Sequence, residues 1–222
     1  MASSVGTTLA RHRDREGHSA GACAVTVPVM AVGYAQHEMD EQAAAPFLID
    51  AVQVRPAGGW IGITPCPGTN RFPARVEPWE RDLEGDFDAI AAWRAAAVVT
   101  LMREREIRSP SIADIRLAAE RRGLQWHHLP IDDAGVPDPD FETRWQRSGP
   151  VVRAMLRTGR RVLVHCQGGL GRSGMIAARL LVELGEMPAV AIERVRHARP
   201  GAIETEAQAA HVVACRELAG DD

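Results

Sequence analysis

The stretch Arg161-Val162-Leu163-Val164-His165-Cys166-Gln167-Gly168-Gly169-Leu170-Gly171-Arg172-Ser173 decides the fold. Its first five residues read as a short buried strand, and the residues from Ser173 onward carry the period of an amphipathic helix. Cys166 to Arg172 therefore form a tight strand-to-helix turn. Gly168, Gly169 and Gly171 open backbone conformations closed to other residues and clear side chains from the inside of that turn, so that successive N–H groups converge. The result is a cradle for an anion, and the amino end of the following helix adds partial positive charge to it.

Outward from this turn, short apolar runs alternate with helical patterns. Phe47 to Val54 and Trp60 to Thr64 read as strands, Arg81 to Ala95 as a helix and Val98 to Met102 as a buried strand. Ala95-Ala96-Ala97 are small, helix-compatible residues. Ser111 to Arg122 reads as a helix, capped by Ser109 or Ser111 and stopped by Gly123, before a strand from Leu124 to Leu129. Phe141 to Thr158 is expected as a helix broken at Ser148-Gly149-Pro150, because proline removes a helical hydrogen bond and its ring crowds the preceding turn. Three helices close the chain: Arg172 to Leu184, Pro188 to Arg199 and Glu204 to Leu218. The class is α/β, a single domain with a central, mainly parallel sheet flanked by helices and the Cys166 loop between a central strand and a helix. Ligands then sit beyond the carboxyl ends of the strands, where this loop lies.

Composition sets the limits. At 222 residues with 45% hydrophobic side chains, the chain supports one well-buried core and is short for two. Residues 1–44, rich in Gly, Ser, Ala and charge without a period, read as a flexible tail ahead of a domain at 45–222. A formal net charge of -3 gives no basic footprint for nucleic acid or an anionic membrane, so neither is expected as a partner. The sequence leaves the oligomeric state open. All 26 basic residues are arginine, which excludes lysine-dependent Walker loops and Schiff-base chemistry. The Ala-rich, lysine-free bias points to a GC-rich bacterial genome. Four scattered cysteines, Cys23, Cys66, Cys166 and Cys215, form neither a C-x-x-C pair nor a disulfide framework, which suits a reducing cytoplasm. Arg11, Arg13 and Arg15 before the mildly apolar 20–35 run loosely imitate a secretory signal, but Gly21, Pro28 and Gly33 weaken it, and Met39 is an alternative start.

The loop residues specify a chemistry. The helix terminus and a nearby cation favour the thiolate of Cys166, the nucleophilic form of the group. Arg172 can grip two phosphoryl oxygens bidentately and stabilise the transferring group. Ser173 is placed to hydrogen-bond the sulfur and ease its departure, and His165 shapes the loop. Gln167, Gly168, Gly169, Leu170 and Gly171 supply the anion-binding backbone. An acid that reaches the leaving oxygen from outside the cradle completes the requirement.

With its complete His-Cys-x5-Arg-Ser motif, the sequence resembles the protein tyrosine and dual-specificity phosphatase superfamily. Asp133-Ala134-Gly135-Val136-Pro137 is similar to the loop that carries the general acid in that superfamily, which implies Asp133 in this role, with Asp132 and then Asp138 as alternatives. The tryptophan that tyrosine-specific members place ahead of this loop is replaced here by Pro130-Ile131. His127-His128, Pro130-Ile131, Pro137-Asp138, Gly168-Gly169-Leu170-Gly171-Arg172-Ser173 and Gly201-Ala202-Ile203 resemble kinase-associated phosphatases most closely. The likeness extends faintly back to Trp60-Ile61-Gly62 and Pro67-Gly68. It implies hydrolysis of a phosphorylated protein or small phosphomonoester through a phosphocysteine, without metal or other cofactor. It also implies that Glu204 and Gln208 orient the hydrolytic water, although their own pattern reads as helix-surface polarity.

Weaker features stand beside these. The uncharged loop from Gln167 to Gly171 disfavours polyphosphorylated lipids. His12, His18, Cys23 and His37 are too irregularly spaced for a metal site. Cys66 in Pro65-Cys66-Pro67-Gly68 is a candidate disulfide partner for oxidised Cys166, against the plainer reading of a buried thiol, and Asn70-Arg71-Phe72 reads as a loop. Two rival functions remain at this point. One is a phosphate-binding module without catalysis, and the other is sulfur transfer or arsenate reduction, which gives Asp133 no role.

Overall fold

A computed structural model describes residues 47–69, 82–107 and 111–218, all within one unit, Gln42–Asp222. The expected tail, the histidines and cysteine within it, Ser109, the start of the helix expected at Arg81 and the segment Asn70-Arg71-Phe72 lie outside the described residues.

Among the described residues five strands form one mixed sheet: β1 (Asp50–Gln53), β2 (Trp60–Thr64), β3 (Ala95–Thr100), β4 (Gln125–His128) and β5 (Arg161–His165). Their order is β1-β2-β5-β3-β4, with β1 antiparallel to β2 and the other three pairs parallel. β5 is the middle strand, and the Cys166 loop leaves its carboxyl end. Because β2 to β5 all run parallel, the loops that follow them share one edge of the sheet.

Among the described residues six α-helices flank the sheet: α1 (Leu83–Ala92), α2 (Ile112–Arg121), α3 (Pro139–Arg157), α4 (Gly171–Glu183), α5 (Pro188–Ala198) and α6 (Glu206–Ala214). α1 packs against α2 and β3, α2 against β4, and α3, on the return from β4, against β5. Side chains cap the starts as the sequence requires: Asp82, Ser111, Asp138 and Thr205 each accept a backbone N–H from the first turn of α1, α2, α3 and α6.

Three expectations are corrected. Ala95-Ala96-Ala97 begin β3 rather than extend the preceding helix: Arg94 takes a φ of 61°, which breaks the helix, and the alanines are buried at the sheet centre. Burial on both faces overrides their helical propensity. α3 runs unbroken through Pro150, because both halves hold the same buried carboxylate. Trp145 Nε1 donates to Glu183 Oε1 at 2.9 Å and Arg153 donates to Glu183 Oε2 at 2.7 Å. α4 is buried along its whole length rather than amphipathic, and its polar members are paired: Arg179, for example, donates to Glu142 and Glu183. The first strand also shortens to Asp50–Gln53 and the last helix to Glu206–Ala214.

Candidate active site

The loop between β5 and α4 turns its carbonyls outward one after another. The Gln167 carbonyl accepts Cys66 N–H at 3.1 Å, and the Leu170 carbonyl accepts the N–H groups of Gly174 at 3.0 Å and Ile203 at 3.3 Å. Between them, Gly168 O accepts from Arg199 at 3.1 Å and Gly169 O accepts from Arg199 Nε. Across a trans peptide the next N–H points opposite to the carbonyl, so the amides of Gly168, Gly169, Leu170 and Gly171 all turn inward. Inward amides in such a turn form a concavity of the kind that can hold an anion. Gly169 is sterically obligatory, whereas at Gly171 an added Cβ would meet only the ends of side chains that can shift. Gly169 has a φ of 67°, and an added Cβ would lie 2.3 Å from the Thr64 carbonyl carbon. A Cβ on Gly171 would lie 2.3 Å from Glu204 Oε2.

Cys166 lies buried at the cradle's base, its Sγ 3.4 Å from Ser173 Oγ. His165 before it is wholly buried, and burial lowers its imidazole to a pKa of about 4, which keeps it neutral. Its Nε2 is 2.8 Å from Thr100 Oγ1, which also accepts the Trp126 indole N–H at 3.1 Å. Donation of the Thr100 proton to His165 Nε2 satisfies that nitrogen, the hydroxyl and the indole N–H, while His165 Nδ1 has no partner among the described residues.

Arg172 is 2% exposed. Its Nη1 meets both oxygens of Glu106, at 2.7 and 2.9 Å, and the Ile131 carbonyl at 3.1 Å, while Nη2 donates to Asp133 Oδ1 at 2.8 Å. The three candidate acids thus separate. Asp133 faces Arg172 over the loop. Asp132 pairs with Arg103, Nε to Oδ1 at 2.6 Å, and with Arg105. Asp138 caps α3, where the Phe141 N–H and then Arg103 hold its carboxyl below the usual range.

Glu106 went unnoticed in the sequence. It sits in a short 3-10 turn, Glu104–Glu106, after the carboxyl end of β3, and the rule that ligands gather at that edge is the signal that points to it. Arg199 and Thr100 were missed as well, since nothing local marks them. Gln208 is buried, against its reading as a helix-surface group: its Nε2 donates to Gly135 O at 3.3 Å and lies beside Gly171, as does Glu204. Cys66 is buried beside the loop, and Cys215 is half-buried, its thiol pushed up to about 11 chiefly by burial.

Among the described residues no group of His, Cys, Asp and Glu is arranged to hold a metal ion, and no helix is long and apolar enough to cross a membrane.

Residues 75–186 match the family model described as "Polymorphic toxin system, DSP-PTPase phosphatase". Cyclin-dependent kinase inhibitor 3 of Rattus norvegicus is 28% identical over 149 residues, 66% of this chain and 66% of the relative, just under two thirds of its length. Protein tyrosine phosphatase PRL-1 of Trypanosoma cruzi is 31% identical over 130 residues, covering 53% of this chain and 69% of its own. A crystal structure of kinase associated phosphatase, with its catalytic-site cysteine replaced by serine, superposes with a TM-score of 0.64 at 25% identity, over 76% of this chain and 93% of the other. Tk-PTP in its active form gives a TM-score of 0.52 at 27% identity, over 74% and 93%.

Proposed function

Since the chain belongs to the family of DSP-PTPase phosphatases matched by its residues 75–186, we propose that it hydrolyses phosphomonoesters on tyrosine or on serine and threonine of a protein, through a phosphocysteine on Cys166. The observation that supports this reading is the contact of Asp133 Oδ1 with Arg172 Nη2 at 2.8 Å, on the same loop in which Cys166 Sγ lies 3.4 Å from Ser173 Oγ.

In this mechanism the cradle amides and the free edge of Arg172 bind the phosphoryl oxygens. The Cys166 thiolate attacks phosphorus and forms the S–P bond as the P–O bond to the leaving group breaks. Asp133 gives its proton to the departing oxygen. Water then attacks the phosphocysteine, Asp133 takes up a proton, and the sulfur leaves with the Ser173 hydroxyl stabilising it. Glu204 and Gln208, beside Gly171, are placed to orient that water. Glu106 keeps Arg172 aimed at the cradle. The uncharged side chains from Gln167 to Gly171 favour a single phosphate over a polyphosphorylated headgroup. A reducing compartment, where Cys166 stays a thiol, suits the chemistry.

The deciding experiment pairs wild type with Cys166→Ser on p-nitrophenyl phosphate and on a phosphopeptide panel. Turnover is expected to vanish in the variant while it still binds tungstate. Hydrolysis that persists in Cys166→Ser would refute the phosphocysteine.

A further inference from the structure

Building on the phosphatase reading of the Cys166 loop, we propose that Arg199 and Asp50 are positioning residues that hold the Gly169 and Leu170 amides turned into the anion cradle. The two outer peptide planes of the loop are fixed by backbone: Cys66 N–H takes Gln167 O, and Gly174 and Ile203 N–H take Leu170 O. The two inner planes carry the carbonyls of Gly168 and Gly169, and for both of them the donor is the Arg199 side chain. The first of them, between Gly168 and Gly169, has glycine on both sides, where rotation meets the least steric resistance. If either plane turned over, a carbonyl lone pair would face the phosphate in place of an N–H.

The guanidinium is itself held. Its Nη1 donates to Asp50 Oδ2 in β1 at 2.5 Å, across 149 positions of sequence. At the base of the side chain, Arg199 N–H donates to Val195 O at 2.9 Å and Arg199 O accepts Ala202 N–H at 3.0 Å, so the stem is anchored too. One planar fork thus serves two loop carbonyls and one carboxylate, a geometry a lysine ammonium cannot copy. Asp50 acts through Arg199 and touches no part of the cradle in these contacts, and Arg199 approaches it from behind.

The test is calorimetric binding of tungstate to full-length wild type, Arg199→Ala, Arg199→Lys and Asp50→Asn, with melting temperature and steady-state kinetics on each. Loss of charge-assisted hydrogen bonds to both carbonyls is expected to weaken tungstate about 10-fold or more in Arg199→Ala, with a smaller loss in Asp50→Asn. Arg199→Lys should recover little. Added methylguanidine should restore binding to Arg199→Ala without affecting wild type, a rescue that a merely stabilising role does not predict.

Tungstate affinity in Arg199→Ala and Asp50→Asn equal to wild type overturns the proposal, whatever the kinetics. If Arg199→Ala does not fold, the same comparison on Asp50→Asn and Arg199→Lys decides. Wild type that turns over no phosphomonoester, yet loses tungstate in these variants, sinks the hydrolysis reading and keeps the positioning role. Normal wild-type turnover with unchanged tungstate binding in the variants does the reverse.

Discussion

The Asp133 carboxylate lies 2.8 Å from the Arg172 guanidinium across 39 positions of sequence, while Asp132, its neighbour in the chain, turns the other way to Arg103. The Asp133 side chain is 75% exposed and its partner 2%, so this ion pair joins an exposed acid to a buried cation. Asp133→Asn is therefore expected to lower kcat on phosphoserine peptides, whose leaving alkoxide needs a proton, by about 10²–10⁴-fold. Asp132→Asn should change kcat little, since its pairs are exposed. Equal losses in both variants would remove Asp133 from the acid role.

Glu106 holds Arg172 Nη1 with both carboxylate oxygens and accepts Arg103 N–H at 2.8 Å. Neutralising it in Glu106→Gln weakens the charged contact that aims the guanidinium. We expect kcat/KM for p-nitrophenyl phosphate to fall roughly 10- to 100-fold, equivalent to about 1.5–3 kcal/mol. A variant as active as wild type would show that Arg172 is aimed without Glu106.

Burial depresses the folded pKa of His165 to about 4 from an unperturbed 6.5. Between these values the unfolded chain binds the extra proton, so stability is complete above about pH 6.5 and is lost as pH falls toward 4. The loss from this group between pH 7 and pH 5 is about 2 kcal/mol. His127 and His211, also lowered chiefly by burial, add in the same direction. Urea titrations at the two pH values measure it, and stability that rises on acidification to pH 5 would contradict this account.

Glu183 joins both halves of α3 to α4, accepting from Trp145, Arg153 and Arg179. Glu183→Ala strips a buried carboxylate from two buried guanidinium groups and should destabilise the fold by about 3–5 kcal/mol in chemical denaturation. A loss below about 1 kcal/mol would mean that α3 runs through Pro150 for another reason.

Local chemistry carried much of the reading. The glycine-rich turn after a buried strand, the capping residues Ser111 and Asp138 and the loop around Asp133 act through near neighbours in sequence, so their structure follows from residue type and spacing. The misreadings share one cause. Ala95 to Ala97, Pro150 and the fully buried α4 take their states from what packs on them, a burial that short-range pattern does not encode.

By itself the sequence determined the α/β class and the Cys166 to Ser173 loop on a central strand, because glycine conformation, apolar alternation and helix capping are local physics, while its resemblance to a known superfamily supplied the short list of candidate acids. Tertiary structure alone decided which aspartate faces Arg172, that Glu106 grips it, and that Arg199 and Asp50 stand behind the loop. These are meetings between loops and strands brought together by parallel pairing at one sheet edge. No spacing in the chain announces them, because the distance that matters is measured across the sheet.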